Sequence, residues 1–263
     1  VPSINKIFSS IQTVRFHSYS VEIIYNQIIE KEEKNNQDFY NKTETKFSFK
    51  NKISLNDIKF KYINSTDNAI NELSLQIKKG DFFGIVGESG SGKSTLINLI
   101  CGLLKPTSGN ILVDNEPIIE NLTGWQSNIG YVGQKTFLMD TSILKNIAYG
   151  RIDKEINNIK IKEVINLVKL NNLIDTLDQG INTKVGEDGT QISGGQKQRI
   201  GIARALYSDP NVLIFDEATS ALDDITEKKI IKDIHEHFND KTVLIVTHKR
   251  ENLKNCNKIF EIE

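Results

Sequence analysis

Apolar residues recur with a helical period over the first 34 positions of the chain. They stand three and four residues apart, with one lapse at Ser18, at Ile4, Ile7, Ile11, Val14, Val21, Tyr25 and Ile28. This pattern predicts one amphipathic helix, which either packs on its own domain or connects that domain to another. The charged, Asn-rich residues 31–54 keep no period and predict a flexible linker. We therefore predict a helix and linker over residues 1–50 and a separate domain over residues 51–263.

Beyond Lys50, short apolar runs alternate with helical patterns, as in an α/β domain. Apolar and polar residues alternate over 58–62 and again over 73–77, on either side of a turn at 65–68, which predicts a β-hairpin. Further strands are predicted at 81–86, 111–113, 129–132, 212–215, 243–246 and 259–263, and helices at 96–104, 153–177, 199–207 and 225–238. The runs 212–215 and 243–246 are wholly apolar, which is typical of central parallel strands buried on both faces.

The composition narrows the class of protein. The chain has 263 residues, of which 38% are apolar, a composition typical of globular proteins. Its formal net charge of −1 gives no positive excess that would attract nucleic acid. Two cysteines are too few for a disulfide scaffold, and Cys101 lies in an apolar run, as expected of a buried, reduced thiol. No apolar run approaches the ~18 residues of a membrane helix, and no signal-peptide pattern follows Val1. We expect a soluble piece trimmed from a longer chain.

The sequence GESGSGKS at residues 87–94 follows a predicted strand and precedes a predicted helix. Glycines at this spacing let backbone N–H groups wrap a polyphosphate, and the helix adds its positive N-terminal end. Lys93 would reach the β- and γ-phosphates, and the Ser94 hydroxyl would ligate Mg²⁺. A turn that only caps a helix is the structural alternative. The predicted phosphate-binding residues are Gly87, Ser89, Gly90, Ser91, Gly92, Lys93, Ser94 and Thr95.

Two further elements carry candidate chemistry. Asp216 follows the buried strand 212–215, where open α/β sheets bind ligands, and is the natural partner for Mg²⁺. Glu217 can face a water that attacks the γ-phosphate, as a general base must, although an acidic pair also suits a helix N-terminus. The Gly-rich stretch Ser193, Gly194, Gly195, Gln196 precedes a helix. Since the first loop already takes the phosphates of its own subunit, this helix N-terminus could serve a phosphate held by another copy.

Together these motifs resemble the nucleotide-binding domain of ABC transporters. The resemblance rests on GESGSGKS at 87–94, Gln134, ISGGQKQR at 192–199, VLIFDE at 212–217, SALD at 220–223 and TH at 247–248, and covers about residues 53–263. It implies a P-loop α/β core of the ABC ATPase type with an antiparallel β-subdomain, and a helical subdomain around 136–200. The amphipathic helix precedes them. It also implies ATP and Mg²⁺ as cofactors and ATP hydrolysis as the reaction.

The resemblance assigns roles to single residues. Tyr62 would stack on adenine, Gln134 would lie near Mg²⁺ and sense the nucleotide, and His248 would contact the γ-phosphate. Asp223 would lie at a dimer seam, and Ser193 to Gln196 would close over ATP bound to the opposite subunit. The implied partner is a second nucleotide-binding domain, with a homodimer favoured over a heterodimer because the motifs suit two working sites.

Other features indicate the exporter type. The stretch TKVGE at 183–187 is similar to a motif that exporters place against their membrane domains, and helix 1–34 resembles the extension of a last membrane helix. These features predict a transmembrane domain in the same full-length chain and a location at the cytoplasmic face of the inner membrane. The first residues, VPSINKIFSSIQ, are also similar to bacterial exporters that resemble lipid-linked oligosaccharide flippases.

Two other functions stay open from sequence. A soluble ABC-type ATPase acting on DNA or ribosomes is one, although only 98 residues separate Ser94 from Ser193, too few for a long coiled coil. An importer ATPase subunit is the other, and residues 1–50 and 183–187 speak against it. A P-loop kinase or GTPase would lack the element at Ser193 to Gln196.

Overall fold

The structure, a computed structural model, describes residues 2–35, 47–63, 65–219, 222–238, 240–248 and 250–262. The helices are α1 Pro2–Asn35, α2 Lys93–Ile100, α3 Leu122–Gln126, α4 Ile143–Ile147, α5 Asn158–Leu167, α6 Asn171–Thr176, α7 Gly194–Tyr207 and α8 Asp224–His237. The strands are β1 Lys52–Phe60, β2 Ile70–Lys78, β3 Phe82–Val86, β4 Ser108–Val113, β5 Glu116–Pro117, β6 Ile129–Val132, β7 Val212–Asp216, β8 Thr242–Val246 and β9 Lys258–Glu261.

The chain divides into two compact units, residues 1–45 and 46–263. The first unit contains α1, a continuous helix whose side chains are exposed throughout residues 3–26, including the predicted apolar stripe from Ile4 to Tyr25. Much of the predicted linker lies outside the described residues. Among the helices that the structure does describe, none has the length and apolar character needed to cross a membrane.

The second unit contains two sheets. An antiparallel sheet has the strand order β2-β1-β4-β5, and its β1–β2 pair is the predicted hairpin, with Ile53 opposite Ile77 and Leu55 opposite Leu75. A parallel sheet has the order β6-β7-β8-β3-β9. Every residue of β3, β7 and β8 is buried. This confirms the prediction that the apolar runs 212–215 and 243–246 form central strands.

The parallel sheet separates two cores. Alternate residues of β7 point to opposite faces: Val212 and Ile214 pack toward the antiparallel sheet and α2, whereas Leu213 and Phe215 pack toward α4, α5, α7 and α8. Trp125, with no exposed surface, fills the first core and donates its indole N–H to the Ile100 carbonyl at 2.7 Å. This confirms the predicted α/β core with an antiparallel β-subdomain.

Several helix boundaries differ from the sequence prediction, and two of the differences have a local cause. Helices α2 and α7 also begin earlier than predicted, at Lys93 and Gly194. Helix α2 ends at Ile100 rather than at Leu104, because Gly102 takes a left-handed conformation (φ +68°) that terminates the helix. The helical period predicted over 153–177 is divided into α5 and α6, since Lys169 between them is also left-handed (φ +57°). The Lys169 carbonyl accepts a hydrogen bond from Arg199 of α7 at 2.5 Å, which holds the break against the helix that begins at Gly194.

Asn128 should be a major stabilising residue of this fold. Its buried side-chain amide donates to the carbonyls of Phe47 (3.0 Å) and Gly124 (2.9 Å), and its oxygen accepts from Asn211, so it joins three segments. We expect Asn128→Ala to lower the free energy of unfolding by about 2–4 kcal/mol, because buried carbonyls lose their partners. Urea unfolding followed through the emission of Trp125, the single tryptophan, measures this.

The matched control is Asn110→Ala, on an exposed position of β4. We expect it to change the free energy of unfolding by less than ~0.5 kcal/mol. Equal unfolding midpoints for the two variants would contradict the role given to Asn128.

Candidate nucleotide-binding site

One cavity of about 570 Å³ opens at the carboxyl ends of the parallel strands. Its residues come from the segments that follow β3, β6, β7 and β8, together with the loop between β1 and β2. It is lined by Tyr62, Ala69, Gly87, Ser89, Gly90, Gly92, Lys93, Ser94, Thr95, Gln134, Asp216, Glu217 and His248. The fold therefore brings most of the sequence-predicted site residues to one place.

Residues 87–94, called the phosphate loop below, comprise the connection from β3 to α2 and the first two residues of α2. Gly92 adopts a left-handed conformation (φ +97°), and a Cβ atom there would lie 2.5 Å from the Ala69 carbonyl oxygen, so only glycine fits. The Lys93 ammonium donates to the carbonyls of Gly87 at 2.9 Å and Glu88 at 2.5 Å, which holds it over the loop. The lysine is only 8% exposed. A positive group and a helix N-terminus thus converge on the cavity, as a phosphate site requires.

Ser91 is the one loop residue of the predicted set that lines a neighbouring cavity instead. Its hydroxyl is buried, and no described residue forms a hydrogen bond with it. The hydroxyl lies close to Gly87, where a Cβ atom would come within 2.5 Å of it. Ser91 therefore packs inside the loop.

Asp216 ends β7 and is 8% exposed. It accepts a hydrogen bond from the Tyr131 hydroxyl at 3.1 Å, and Ser94 lines the same cavity. Burial raises the pKa of the Asp216 carboxyl, and the neighbouring Glu217 charge adds to the rise, whereas the bond from Tyr131, the nearby Ser94 hydroxyl and the Lys93 charge oppose it. The carboxylate and hydroxyl oxygens at this position are ligands that suit Mg²⁺.

Glu217 lies next to Asp216, and its carboxylate meets two other predicted site residues. One oxygen accepts from the Gln134 amide at 3.1 Å, and the other lies 3.7 Å from Nδ1 of His248. The backbone of Glu217 is left-handed (φ +50°), a conformation that costs a non-glycine residue about 1–3 kcal/mol and recurs at functional sites. Its N–H donates to the Val246 carbonyl at 3.0 Å, which ties the Glu217 backbone to the end of β8.

Tyr62, which follows β1, is another lining residue of the cavity. Its hydroxyl forms a 3.1 Å hydrogen bond with the Thr95 hydroxyl, and the Phe60 ring packs edge-on against it with centroids 4.9 Å apart. The ring is 44% exposed. Tyr62 thus offers a fixed aromatic face beside the phosphate loop, the arrangement that a stacked base requires.

The second glycine-rich element lies apart from this cavity. Ser193 caps α7: its hydroxyl accepts from the Gln196 N–H at 3.3 Å, and the Gln196 side chain accepts from the Ser193 N–H at 2.8 Å. No described atom comes within 4 Å of the Cβ position of Gly194, so this surface is open. Within one chain, Ser193, Gly194, Gly195 and Gln196 do not line the cavity.

Asp223 has a structural position at the start of α8. Its carboxylate accepts from the Thr226 N–H at 2.9 Å, and this bond is the main cause of its lowered pKa. Asp223 is exposed and lies outside the cavity. Of the predicted segment 220–223, Ser220 and Ala221 lie outside the described residues.

Sequence reasoning missed Tyr131 as a site residue. It is on β6, next to β7 in the sheet, and its hydroxyl reaches Asp216. Burial and the Asp216 charge raise the pKa of its phenol above the usual range, so it remains a donor. A tyrosine near the carboxyl end of a predicted strand was the available signal, but the sequence does not say that β6 neighbours β7.

Comparisons with known proteins agree with this geometry. Residues 70–220 match the family described as ABC transporter. An ATP-dependent lipid A-core flippase of Ralstonia nicotianae is 35% identical over 208 residues, which cover 78% of this chain and 35% of the flippase. The alpha-hemolysin translocation ATP-binding protein HlyB of Proteus vulgaris is 40% identical over 215 residues, which cover 80% of this chain and 30% of HlyB.

A solved structure is also similar. A bacterial Atm1-family ABC exporter with ATP bound superposes with a TM-score of 0.78 at 31% sequence identity, over 82% of this chain and 38% of that one. The chain spans about a third of the length of the curated relatives it matches. Because the family match covers more than half of the chain, and the fold and cavity agree with it, the chain belongs to the ABC transporter family and comprises its ATPase domain.

Proposed function

We propose that this domain binds ATP with Mg²⁺ and hydrolyses it to drive an exporter-type ABC transporter. The observation that carries the proposal is the single cavity in which Lys93, Ser94, Asp216, Glu217 and His248 converge. Phosphoryl transfer to water requires the groups that are found here. They are a lysine over a glycine loop, a hydroxyl and carboxylate pair, and a second carboxylate beside an imidazole. The resemblance of the sequence motifs supports the same activity.

Each group has a defined part in binding. Tyr62 would stack on the base, and the N–H groups of residues 87–94 would bind the phosphates together with the Lys93 ammonium. Ser94, Gln134 and Asp216 would hold Mg²⁺, which supplies positive charge against the phosphate oxygens when it is bound. The burial of Asp216 supports this assignment, because a buried carboxylate with a raised pKa gains most from a nearby cation.

The hydrolytic step would depend on Glu217. Its carboxylate would accept a proton from a water molecule as that water attacks the γ-phosphate. Gln134 and His248 already contact the two Glu217 oxygens, so they would orient the carboxylate and the water. His248 would also stabilise negative charge on the transferring phosphoryl group.

The N-terminus of α7 would complete the site of another copy. The Ser193 and Gly195 region lies outside the cavity of its own chain, and the Gly194 surface is open. A head-to-tail dimer would place this helix N-terminus against the γ-phosphate of the partner, where its positive end is favourable. We propose a homodimer, because the chain contains both halves of such a site.

The transporter assignment rests on the relatives and on α1. The named relatives include a lipid A-core flippase, a hemolysin translocation protein and an Atm1-family exporter, which supports export over import or a soluble role. A transmembrane domain of the full-length chain would carry the transport path, and the ATPase domain would lie at the cytoplasmic face of the inner membrane. We propose a lipid-linked oligosaccharide, or another lipid or polysaccharide, as the substrate, supported by residues 1–12 and by the flippase relative.

Glu217→Gln tests the base. The amide keeps the size of the side chain but cannot take a proton, so we expect the ATPase rate to fall by about 10²–10⁴-fold while ATP binding persists. Phosphate release and calorimetric ATP titration measure the two properties. Glu251→Gln, an exposed glutamate paired with Lys228, is the matched control and should hydrolyse ATP normally. Near-normal hydrolysis by Glu217→Gln would refute the assignment.

Gly194→Asp tests the shared site. The new side chain has open space in the single chain, and a carboxylate at a helix N-terminus is favourable there, so the fold should persist. In a closed dimer, the same carboxylate would repel the γ-phosphate, and we expect the ATPase rate to fall by about tenfold or more. Gly194→Ala controls for the loss of glycine. Equal rates for the aspartate and alanine variants, with unchanged melting temperatures, would argue against a shared site.

Asp216→Asn separates stability from metal binding. Because burial raises the Asp216 pKa, the ionised form costs the folded state more than the unfolded state, and stability declines as pH rises through this titration. We expect the variant without ligand to have a higher melting temperature at pH 7, by about 2–4 °C for each kcal/mol of unfolding free energy that it gains. We also expect that Mg²⁺ will no longer increase the stabilisation that ATP gives to the variant. Exposed Asp175→Asn is the control for thermal scans. A lower melting temperature for Asp216→Asn would contradict the argument.

A further inference from the structure

Tyr131 holds one oxygen of the carboxylate at the end of the neighbouring strand. Its hydroxyl donates to Oδ2 of Asp216 at 3.1 Å. In the parallel register, Tyr131 lies opposite Ile214, so its side chain reaches two residues further along β7 to make this contact. The bond therefore joins an edge strand to the end of a central one, at the rim of the nucleotide cavity.

The local sequence leaves room for this reach. A Cβ atom at Gly133 would stand 3.1 Å from both Cε1 and the hydroxyl oxygen of Tyr131, so the phenol lies against the Gly133 backbone. A side chain at position 133 would require the ring to shift by a few tenths of an ångström. The glycine that follows β6 thus permits the observed position of the ring.

The two partners of this hydrogen bond differ in how far they are buried. Tyr131 as a whole is 44% exposed. Asp216, in contrast, is 8% exposed and needs partners. The tyrosine is therefore better understood through what it does to the carboxylate than through its own packing.

The Asp216 carboxylate lies between the phosphate loop and β6. The Lys93 charge acts on it from the phosphate loop, where Ser94 lines the same cavity, whereas the Tyr131 hydroxyl donates to it from β6. With the phenol bound to one oxygen, rotation of the carboxyl group about its last bond is restricted.

We infer that Tyr131 is a positioning residue that orients Asp216 for the divalent cation of the nucleotide complex. The inference rests on the proposed Mg²⁺–ATP function of this cavity. Groups that hydrogen-bond to a metal-binding carboxylate fix its direction, and their removal typically lowers metal affinity by about 10–100-fold. Tyr131 would act in this way through Asp216 and would not itself touch metal or nucleotide.

Tyr131→Phe removes the hydroxyl and keeps the ring. The binding of the non-hydrolysable ATP analogue with a β,γ-imido bridge is titrated by calorimetry, once with Mg²⁺ and once with EDTA. We expect the gain in affinity due to Mg²⁺ to fall about tenfold, with unchanged affinity in EDTA. Tyr149→Phe, which removes the hydroxyl of a half-exposed tyrosine outside the cavity, should keep the full gain.

A double-mutant cycle identifies the route of the effect. If Tyr131 acts through Asp216, adding Tyr131→Phe to Asp216→Asn should change the Mg²⁺-dependent gain no further. An equal effect of Tyr131→Phe in both backgrounds would overturn the inference.

Other results of these titrations would separate a failure of the inference from a failure of the proposed function. An unchanged Mg²⁺ gain in Tyr131→Phe, or an equal loss of affinity with Mg²⁺ and with EDTA, would overturn the inference while leaving the proposed function in place. A wild-type domain that binds the analogue without any gain from Mg²⁺ would overturn both, since no cation would need positioning.

Discussion

Two adjacent carboxylates close the end of a strand that is otherwise apolar and fully buried, and the site depends on how they are held. Asp216 has little exposure, so its charge must be balanced by hydrogen bonds and cations. Glu217 is held differently, with a left-handed backbone whose N–H is bound to Val246. One residue is thus directed toward the phosphate loop, and the next toward Gln134 and His248.

The strand order supplies these partners. Because β7 lies between β6 and β8, the segments after both neighbours meet the two carboxylates from either side. The β3 strand, on the far side of β8, delivers the phosphate loop to the same edge. The packing of the apolar strands therefore determines the positions of the polar residues at their carboxyl ends. Substitutions in the core should change the geometry of the site.

The same chain has a second glycine-rich helix N-terminus, separate from the cavity. The N-terminus of α7 is capped by its own Ser193 and Gln196, and it is supported by the bond from Arg199 to Lys169. It is a finished local structure with an open surface rather than part of the cavity. Under the proposed function, this separation would give a physical reason for two copies to act together, because the α7 N-terminus of one copy would complete the phosphate site of the other.

Much of this arrangement could be predicted from sequence, because its signals are local. The phosphate loop, the hairpin and the buried strands follow from residue types at fixed spacings, and the structure confirms the predicted strands. The C-terminal end of α2 and the break at Lys169 could not be predicted, since each depends on a single left-handed residue. The bond from Tyr131 to Asp216 was missed for a different reason: it depends on which strands are neighbours, which short apolar runs do not specify.

The central claim is that one copy completes the cavity of another when ATP is bound. Its most direct test is the solution mass of the Glu217→Gln variant, measured by light scattering after size exclusion, with ATP and Mg²⁺ and separately with ADP and Mg²⁺. The account predicts two copies with ATP and one with ADP. A mass of one copy with ATP, in a sample that calorimetry shows to bind the nucleotide, would contradict it.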